Sequence, residues 1–191
     1  FYWHLKTGEY LVETRSIPKT DIFSTSKFGS EWVTHEWLSE LFMYSIFGWL
    51  GYAGLIAAFA AIITATFMFA YRRCKEVAPH PYLAGFALIV GAAATMPTWG
   101  VRPQMLSMLF ASIFILVLGD YSRNVRTKAI WLLIPLTVLW VNMHAGFAMG
   151  LALIVLTIVS LLTDSLLLPN ESIKKTWPRL RRLCLLFAAC V

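Results

Sequence analysis

The chain has 191 residues, of which 59% are hydrophobic and only 14% are charged, and its formal net charge is +6. A soluble domain carries nearer a quarter charged residues, so this composition excludes an ordinary soluble enzyme or soluble binding module. Several uncharged runs of roughly 17 to 21 residues have the length that crosses the hydrocarbon core of a bilayer. The sequence therefore predicts an all-α, polytopic membrane protein.

The first part of the chain differs from the rest. Residues 1–36 are polar and rich in turn-forming stretches such as SIPKTD and STSKFGS, which predicts an ordered extramembrane loop with a short amphipathic helix over 7–13. Residues 37–47 predict a helix that Gly48 and Gly51 separate from the first span. Apolar run lengths predict spans at 51–71, 82–99, 103–119, 129–143, 145–163 and from 183 onward.

These elements divide the chain into a loop over 1–36 and a transmembrane bundle over 37–191. The bundle is predicted to have about six spans, the last of them truncated. We expect the chain to be the N-terminal half of a longer protein, because it does not begin with methionine and stops partway through an apolar run.

Basic residues predict how the bundle is oriented. Most of the 16 basic residues fall in alternate loops, whereas the short links on the other side carry only Arg102. The positive-inside rule puts the basic loops in the cytoplasm and residues 1–36 on the exoplasmic face. Because these charges lie between spans, they do not indicate nucleic-acid binding. The basic loops contain Arg72, Arg73 and Lys75; Arg123, Arg126 and Lys128; and Lys174, Lys175, Arg179, Arg181 and Arg182.

Unusual polar residues collect at the opposite, exoplasmic ends of the predicted spans. Ionisable groups at a membrane edge are candidates for function because they are costly there. Their four separate segments predict one outward-facing site with carboxylates, imidazoles and a lone arginine. The residues concerned are His4, Asp21, His35, Glu36, Glu40, Arg102, Gln104, Asn142 and His144.

Each charged candidate has a functional and a structural interpretation. The Arg102 guanidinium suits bidentate binding of a phosphate, or it reaches to lipid headgroups as an anchor. Asp21 and Glu36 suit a general base or the oxygen ligands of a divalent cation. Alternatively both are solvated acids, with Asp21 capping a turn. Glu40 is interpreted as the partner of a neighbouring basic group.

The uncharged candidates also leave alternatives open. His144, with Asn142 beside it, suits binding of a phosphate or sugar hydroxyl, or ligation of a haem or chlorin metal. Its structural alternative is a hydrogen bond to a neighbouring helix. His4 beside Trp3 is a substrate contact or an interfacial anchor, and the tryptophans at span ends fit an aromatic belt. The three scattered cysteines predict neither a disulfide framework nor a zinc site.

Small and weakly polar residues inside the spans predict packing. Gly146 and Gly150 form a small-xxx-small pair that permits close helix approach. A transporter would want polar groups at mid-membrane, but the hydroxyls there can all bond to the backbone of their own helices. Those hydroxyls belong to Thr64, Thr66, Ser107, Ser112 and Thr137.

Five motifs in order resemble those of class-C glycosyltransferases, the fold of the protein O-mannosyltransferases and the lipid A aminoarabinose transferases. In that group an aromatic motif ending in Trp-His, a proline-aspartate turn and a His-Glu-Trp motif lie in the first outer loop, and two further outer motifs follow. In this chain they are Trp3-His4, Pro18 to Asp21, His35-Glu36-Trp37, Arg102-Pro103-Gln104 and Trp140 to Gly146.

The resemblance implies a GT-C-like bundle in the bacterial cytoplasmic (inner) membrane. It implies transfer of a sugar from a polyprenyl-phosphate carrier to an acceptor at the outer face, typically with inversion. A first-loop carboxylate would deprotonate the acceptor and an arginine would hold the lipid phosphate. The group's leading acidic residue would precede Phe1, outside this chain. The implied catalytic residues are Glu36 and Asp21, and the implied substrate contacts are Arg102, His35, His4, Gln104, Asn142 and His144.

The alternative is a non-catalytic subunit of a larger membrane complex, such as a photosynthetic or other energy-converting assembly. A glycosyltransferase predicts that Asp21, Glu36, Arg102 and His144 converge on one outward cavity. A structural subunit predicts that these groups pair among themselves, with a broad apolar flank covered by another protein or by pigments. Membrane lipids are expected partners in both cases.

Overall fold

The computed structural model describes residues 1–78, 80–167 and 173–191, with the backbone alone for 173–175. Across these ranges the chain is helical and contains no strand, only an isolated antiparallel bridge between Thr20 and Glu31. The predicted all-α class is therefore confirmed. The helices are α1 (Tyr2–Thr14), α2 (Trp37–Val77), α3 (Pro81–Thr95), α4 (Gln104–Ser122), α5 (Leu133–Met143), α6 (Phe147–Leu167) and α7 (Ile173–Cys190).

Four helical segments in the described residues are long and apolar enough to cross a membrane, namely α2, Pro81–Thr98, α4 and α6. The predicted span at 129–143 is shorter than these. It consists of 3₁₀ turns over Thr127–Leu132 followed by the 11 residues of α5. The α-helix begins just ahead of Pro135, which a helix tolerates only in its first turn. In the residues that the structure describes, four segments are therefore candidates for full-length spans, where the sequence predicted about six.

The last predicted span also differs from the structure. A helix begins at Ile173 rather than at 183, and it buries Leu180, Leu183 and Leu186 while Arg181 is exposed. This alternation is that of an amphipathic helix packed on the bundle. The side chains of Lys174 and Lys175 lie outside the described residues.

Helix α2 is broken where the sequence predicted a break. Gly51 has φ 62° and ψ −161°, a conformation that essentially only glycine adopts. Gly48 keeps a negative φ and does not interrupt the helix. The helix over 37–47 and the first span are therefore two pieces that meet at Gly51.

Helix α4 lies at the centre of the bundle and contributes to two apolar clusters. One joins α4 to α5, α6 and α7 around Phe114 and Trp140, and the other joins α4 to α1 and α2 around Met43 and Met105. Helix α3 packs on α2 and buries only Ala84. Its remaining apolar surface is available to lipid.

The close approach predicted at Gly146, just ahead of α6, and at Gly150 within it is confirmed. A Cβ added at Gly146 would lie 2.5 Å from Ser107 Oγ, and one at Gly150 would lie 2.8 Å from the Trp140 ring. Real Cβ atoms do not approach other atoms this closely, so both positions require glycine. These contacts fix the start of α6 against α4 and α5.

The charge pattern correctly predicted which loops share an end of the bundle. Glu76 at the end of α2 contacts Arg73 at 3.3 Å and Arg123 at 2.6 Å. Arg179 of α7 donates to the backbone oxygen of Tyr121 at 3.0 Å. Three basic segments therefore meet at one end, which we call the basic end. The other end, where α2, α4 and α6 begin, we call the site end.

Candidate functional site

Glu36, the residue before α2, lies at the centre of the site end. Its carboxylate is contacted by His144 Nε2 at 3.4 Å, by His4 Nδ1 at 3.8 Å and by His35 Nε2 at 3.8 Å. The Glu36 side chain is 14% exposed, and its place at the start of a helix favours negative charge. All three predicted site histidines thus lie beside a partly exposed carboxylate.

Glu40 lies one turn further into α2 and is fully buried. His4 Nδ1 contacts Glu40 Oε1 at 3.2 Å, which confirms that Glu40 pairs with a neighbouring basic group. Gly8 makes this possible, because a Cβ there would collide with the Glu40 backbone and with Tyr44. Within the described part of the chain, Glu40 Oε2 has no hydrogen-bond partner.

His144 occupies the link between α5 and α6 and uses both ring nitrogens. Its Nδ1 accepts a hydrogen bond from the Gly146 backbone N–H at 2.9 Å and lies 2.8 Å from Ser107 Oγ. Its Nε2 faces Glu36, so neither nitrogen points to open space for a haem or chlorin metal. Burial lowers the pKa of His144 below its ordinary value; Glu36 opposes the shift, and His35 and His4 add to it.

Ser107 and Trp140 belong to the site although neither was predicted there. The Trp140 indole N–H donates to Ser107 Oγ at 2.7 Å, and Trp140 is fully buried, so it is not part of an aromatic belt. The prediction that Ser107 bonds its own helix is wrong. The same prediction is confirmed for Thr64, Thr66, Ser112 and Thr137. Nothing in the sequence distinguishes Ser107 from Ser112.

Asn142 lies beside the cluster and holds helices together. Its side-chain oxygen accepts a hydrogen bond from the Trp37 indole N–H at 3.0 Å. Next to it, the Ser39 hydroxyl donates to the backbone oxygen of Met143 at 2.6 Å. These bonds join the start of α2 to the end of α5, so the amide of Asn142 is already engaged by the protein.

Asp21 is separate from the cluster and caps its own loop. Its carboxylate accepts from the Ser24 hydroxyl at 2.6 Å and from the backbone N–H groups of Ser24 and Phe23, each at 2.9 Å. The Ser24 hydroxyl is the main reason that the pKa of Asp21 lies below its ordinary value. The turn-capping interpretation therefore describes the geometry of Asp21.

In the residues that the structure describes, no group of three or more His, Cys, Asp or Glu side chains could hold a metal ion.

Arg102 lies near the end of the link that leads into α4 and is exposed. Its guanidinium makes no hydrogen bond or ion pair with any residue in the described ranges. It lines a cleft of about 280 Å³ whose other walls are apolar or aromatic. The Gln104 amide, at the first position of α4, likewise has no partner among the described side chains. The cleft is completed by Phe1, Tyr52, Leu55, Ile56 and Val101.

The cleft beside Arg102 and the space beside Glu36 each share a wall residue with a third cavity. The Arg102 cleft shares Tyr52 with a cavity of about 440 Å³, which is lined mainly by aromatic rings together with Lys6 and Glu9. That cavity shares Trp3 with a space of about 10 Å³ beside Glu36 and Glu40, large enough for about one water molecule. Of the four residues expected to converge, Glu36 and His144 meet directly, whereas Arg102 lies in its own cleft and Asp21 in its own loop.

Comparison with known proteins does not assign a function to these residues. No protein-family model, curated protein or solved structure matches the chain. Its function is therefore inferred from the residues around Glu36 and Arg102 and from the chemistry that they permit.

Proposed function

We propose that this chain is the membrane-embedded part of a glycosyltransferase that moves a sugar from a polyprenyl-phosphate carrier to an acceptor hydroxyl. The observation that carries the proposal is an unpaired guanidinium in an apolar cleft, at the same end of the bundle as a carboxylate that has three imidazoles beside it. Arg102 and Glu36 supply these two groups. Following the positive-inside rule, we place the site end at the exoplasmic face of the bacterial inner membrane.

Glu36 is assigned the role of general base. Its side chain is partly exposed to solvent, and three imidazoles lie within 3.8 Å of its carboxylate. In the proposed step, Glu36 takes the proton from the acceptor hydroxyl while that oxygen bonds to the anomeric carbon of the sugar. The bond from this carbon to the phosphate oxygen breaks, and polyprenyl phosphate leaves. Asp21 is not given this role, because its own loop occupies its carboxylate.

Arg102 is assigned to the phosphate of the carrier. A guanidinium binds phosphate in a bidentate manner, and Arg102 has no carboxylate partner among the described residues to compete with it. The apolar walls of its cleft, including Leu55 and Ile56, suit the first isoprene units of the carrier. The charge that develops on the leaving phosphate would be stabilised by Arg102.

The test is sugar transfer by the protein in membranes supplied with polyprenyl-phosphate sugars. We expect Glu36→Gln to lower kcat by at least about 100-fold, the usual contribution of a general base. Arg102→Ala should lower transfer by about 10- to 100-fold. Arg102→Lys should have an activity between those of wild type and Arg102→Ala, because lysine keeps the positive charge but cannot bind phosphate in the bidentate manner of a guanidinium. Glu31→Gln is the matched control, since Glu31 is an exposed carboxylate of the same loop. Unchanged transfer by Glu36→Gln would refute the assignment.

A structural subunit of a larger membrane complex is the second candidate. It is favoured by the mutual pairing of His4, Glu36, Glu40 and His144 and by the exposed apolar face of α3. Purification in a mild detergent separates the two candidates. Absence of transfer with every donor, together with stable co-purification of other membrane subunits, would favour this second candidate.

A further inference from the structure

His144 is held in a single protonation form by its hydrogen bonds. A backbone N–H can only donate, so the bond from Gly146 N to His144 Nδ1 at 2.9 Å requires a lone pair on Nδ1. The proton of the neutral ring is then on Nε2, which lies 3.4 Å from Glu36 Oε1. In this form the ring has its N–H on the side where the carboxylate lies.

Ser107 and Trp140 reinforce the same form. The Trp140 N–H donates to Ser107 Oγ at 2.7 Å, so the hydroxyl proton of Ser107 is free to point toward His144 Nδ1 at 2.8 Å. The Gly146 N–H and the Ser107 hydroxyl therefore both face the single lone pair on His144 Nδ1. A doubly protonated His144 would direct its Nδ1–H at the Gly146 N–H, and the Ser107 hydroxyl would have to turn away.

Packing leaves this arrangement little freedom. Trp140 is fully buried and Ser107 is almost so, and the glycine at 146 lets Ser107 approach, since a Cβ there would lie 2.5 Å from Ser107 Oγ. The titratable groups that face His144 are Glu36, His35 and His4. The direction of the hydrogen bonds thus runs from Trp140 through Ser107 to His144, whose Nε2 lies 3.4 Å from the carboxylate of Glu36.

We propose that Ser107 and Trp140 are positioning residues that hold His144 as its neutral Nε2–H form, so that His144 orients the carboxylate of Glu36. The role of Glu36 as a base rests on the proposed function, whereas the form of His144 does not. The two can therefore be tested separately.

The direct test is nitrogen NMR of the protein in detergent micelles, with the histidine rings labelled with ¹⁵N. The two ring nitrogens of a neutral imidazole have well-separated shifts, and His144→Gln assigns the signals of this residue. We expect a single Nε2–H form at neutral pH. Either the Nδ1–H form or a doubly protonated ring at neutral pH would overturn the proposal.

Variants of the two positioning residues make the test more specific. Ser107→Ala and Trp140→Phe should both raise the pH at which His144 takes up its second proton. The first removes a donor to the neutral ring, and the second frees Ser107 Oγ to accept from the charged ring. Ser112→Ala is the matched control, because Ser112 lies in the same helix and bonds to Leu109 O. If Ser107→Ala titrates like this control, the positioning role is refuted.

Sugar transfer provides a second readout. Ser107→Ala should lower kcat by about fivefold to tenfold, which is the effect of one hydrogen bond, with little change in KM. His144→Gln keeps an amide donor and should retain at least about tenfold more activity than His144→Ala. Equal loss in these two variants would contradict the donor role. An Nε2–H form in a protein without transfer activity would refute the proposed function and leave this inference standing.

Discussion

The indole N–H of Trp37 donates to the side-chain oxygen of Asn142 at 3.0 Å and joins the first residue of α2 to the last turn of α5. The bond holds together two segments that both contribute to the carboxylate cluster, since Glu36 precedes Trp37 and His144 follows Asn142. Together with the bond from Ser39 to the backbone of Met143, it therefore helps to set the distance between Glu36 and His144.

We expect Trp37→Phe to lower the free energy of unfolding by about 1 kcal/mol, because Asn142 loses its donor while the ring is kept. A double-mutant cycle with Asn142→Ala, measured by unfolding in detergent, isolates the pair. Trp49→Phe is the control, since Trp49 is 90% exposed. Additive effects of the two changes would show that the bond contributes nothing to stability.

Gly51 and Gly48 offer a matched comparison of backbone strain. Neither would place a new Cβ within 4 Å of another group, but only Gly51 has a positive φ. We expect Gly51→Ala to cost about 1–3 kcal/mol, whereas Gly48→Ala should be neutral or stabilising by up to about 1 kcal/mol. Thermal unfolding of both variants measures this, and equal stabilities would contradict the break in α2.

At the basic end, Glu76 binds arginines from two segments. We expect Glu76→Gln to lower the free energy of unfolding by about 1 kcal/mol at low salt, because Arg73 and Arg123 lose their shared carboxylate. The difference from wild type should shrink at high salt, where partly exposed charges are screened. Glu31→Gln, which removes no ion pair of the described residues, should show neither effect. A loss of stability that is the same at low and high salt would show that Glu76 stabilises the fold through packing rather than through its charge.

The lowered pKa of His144 predicts how stability depends on pH. In the unfolded chain this histidine takes up a proton near its ordinary value of 6.5, while the folded protein resists protonation until a lower pH. The unfolded state then binds more protons, so stability is fully present above about pH 6.5 and falls as the pH is lowered from there. Unfolding of wild type and His144→Gln between about pH 8 and about pH 5 tests this. Identical slopes for both proteins would contradict it.

Much of the fold was predictable because it depends on local pattern. Apolar run length identified α2, α4 and α6, and glycine identified the break at Gly51. The alternation of basic loops identified which helix ends lie together. Run length failed for α5 and α7, because a 3₁₀ segment and a basic amphipathic helix have partly apolar sequences without forming full spans.

The site was predictable only where its residues are rare in a membrane. His4, Glu36 and His144 were identified because ionisable groups at a membrane edge are costly, and the structure brings them together. Ser107 and Trp140 are ordinary residues of apolar helices, and their role depends on which helices pack side by side. Asp21 has the right chemistry for the site, but its carboxylate accepts a hydrogen bond from the hydroxyl of the serine three residues later. Composition does not show which partner such a carboxylate takes.

The break at Gly51 has a consequence for how the protein responds to its bilayer. The first piece of α2 carries Glu40 and is held by α1 through Gly8 and by α5 through Trp37 and Ser39. The second piece is the one that runs on through the apolar layer. Membrane helices adapt to bilayer thickness by tilting, and a tilt of the second piece about Gly51 need not turn the first. We therefore expect the carboxylate cluster to keep its geometry across lipids of different acyl-chain length, which reconstitution into such bilayers would measure.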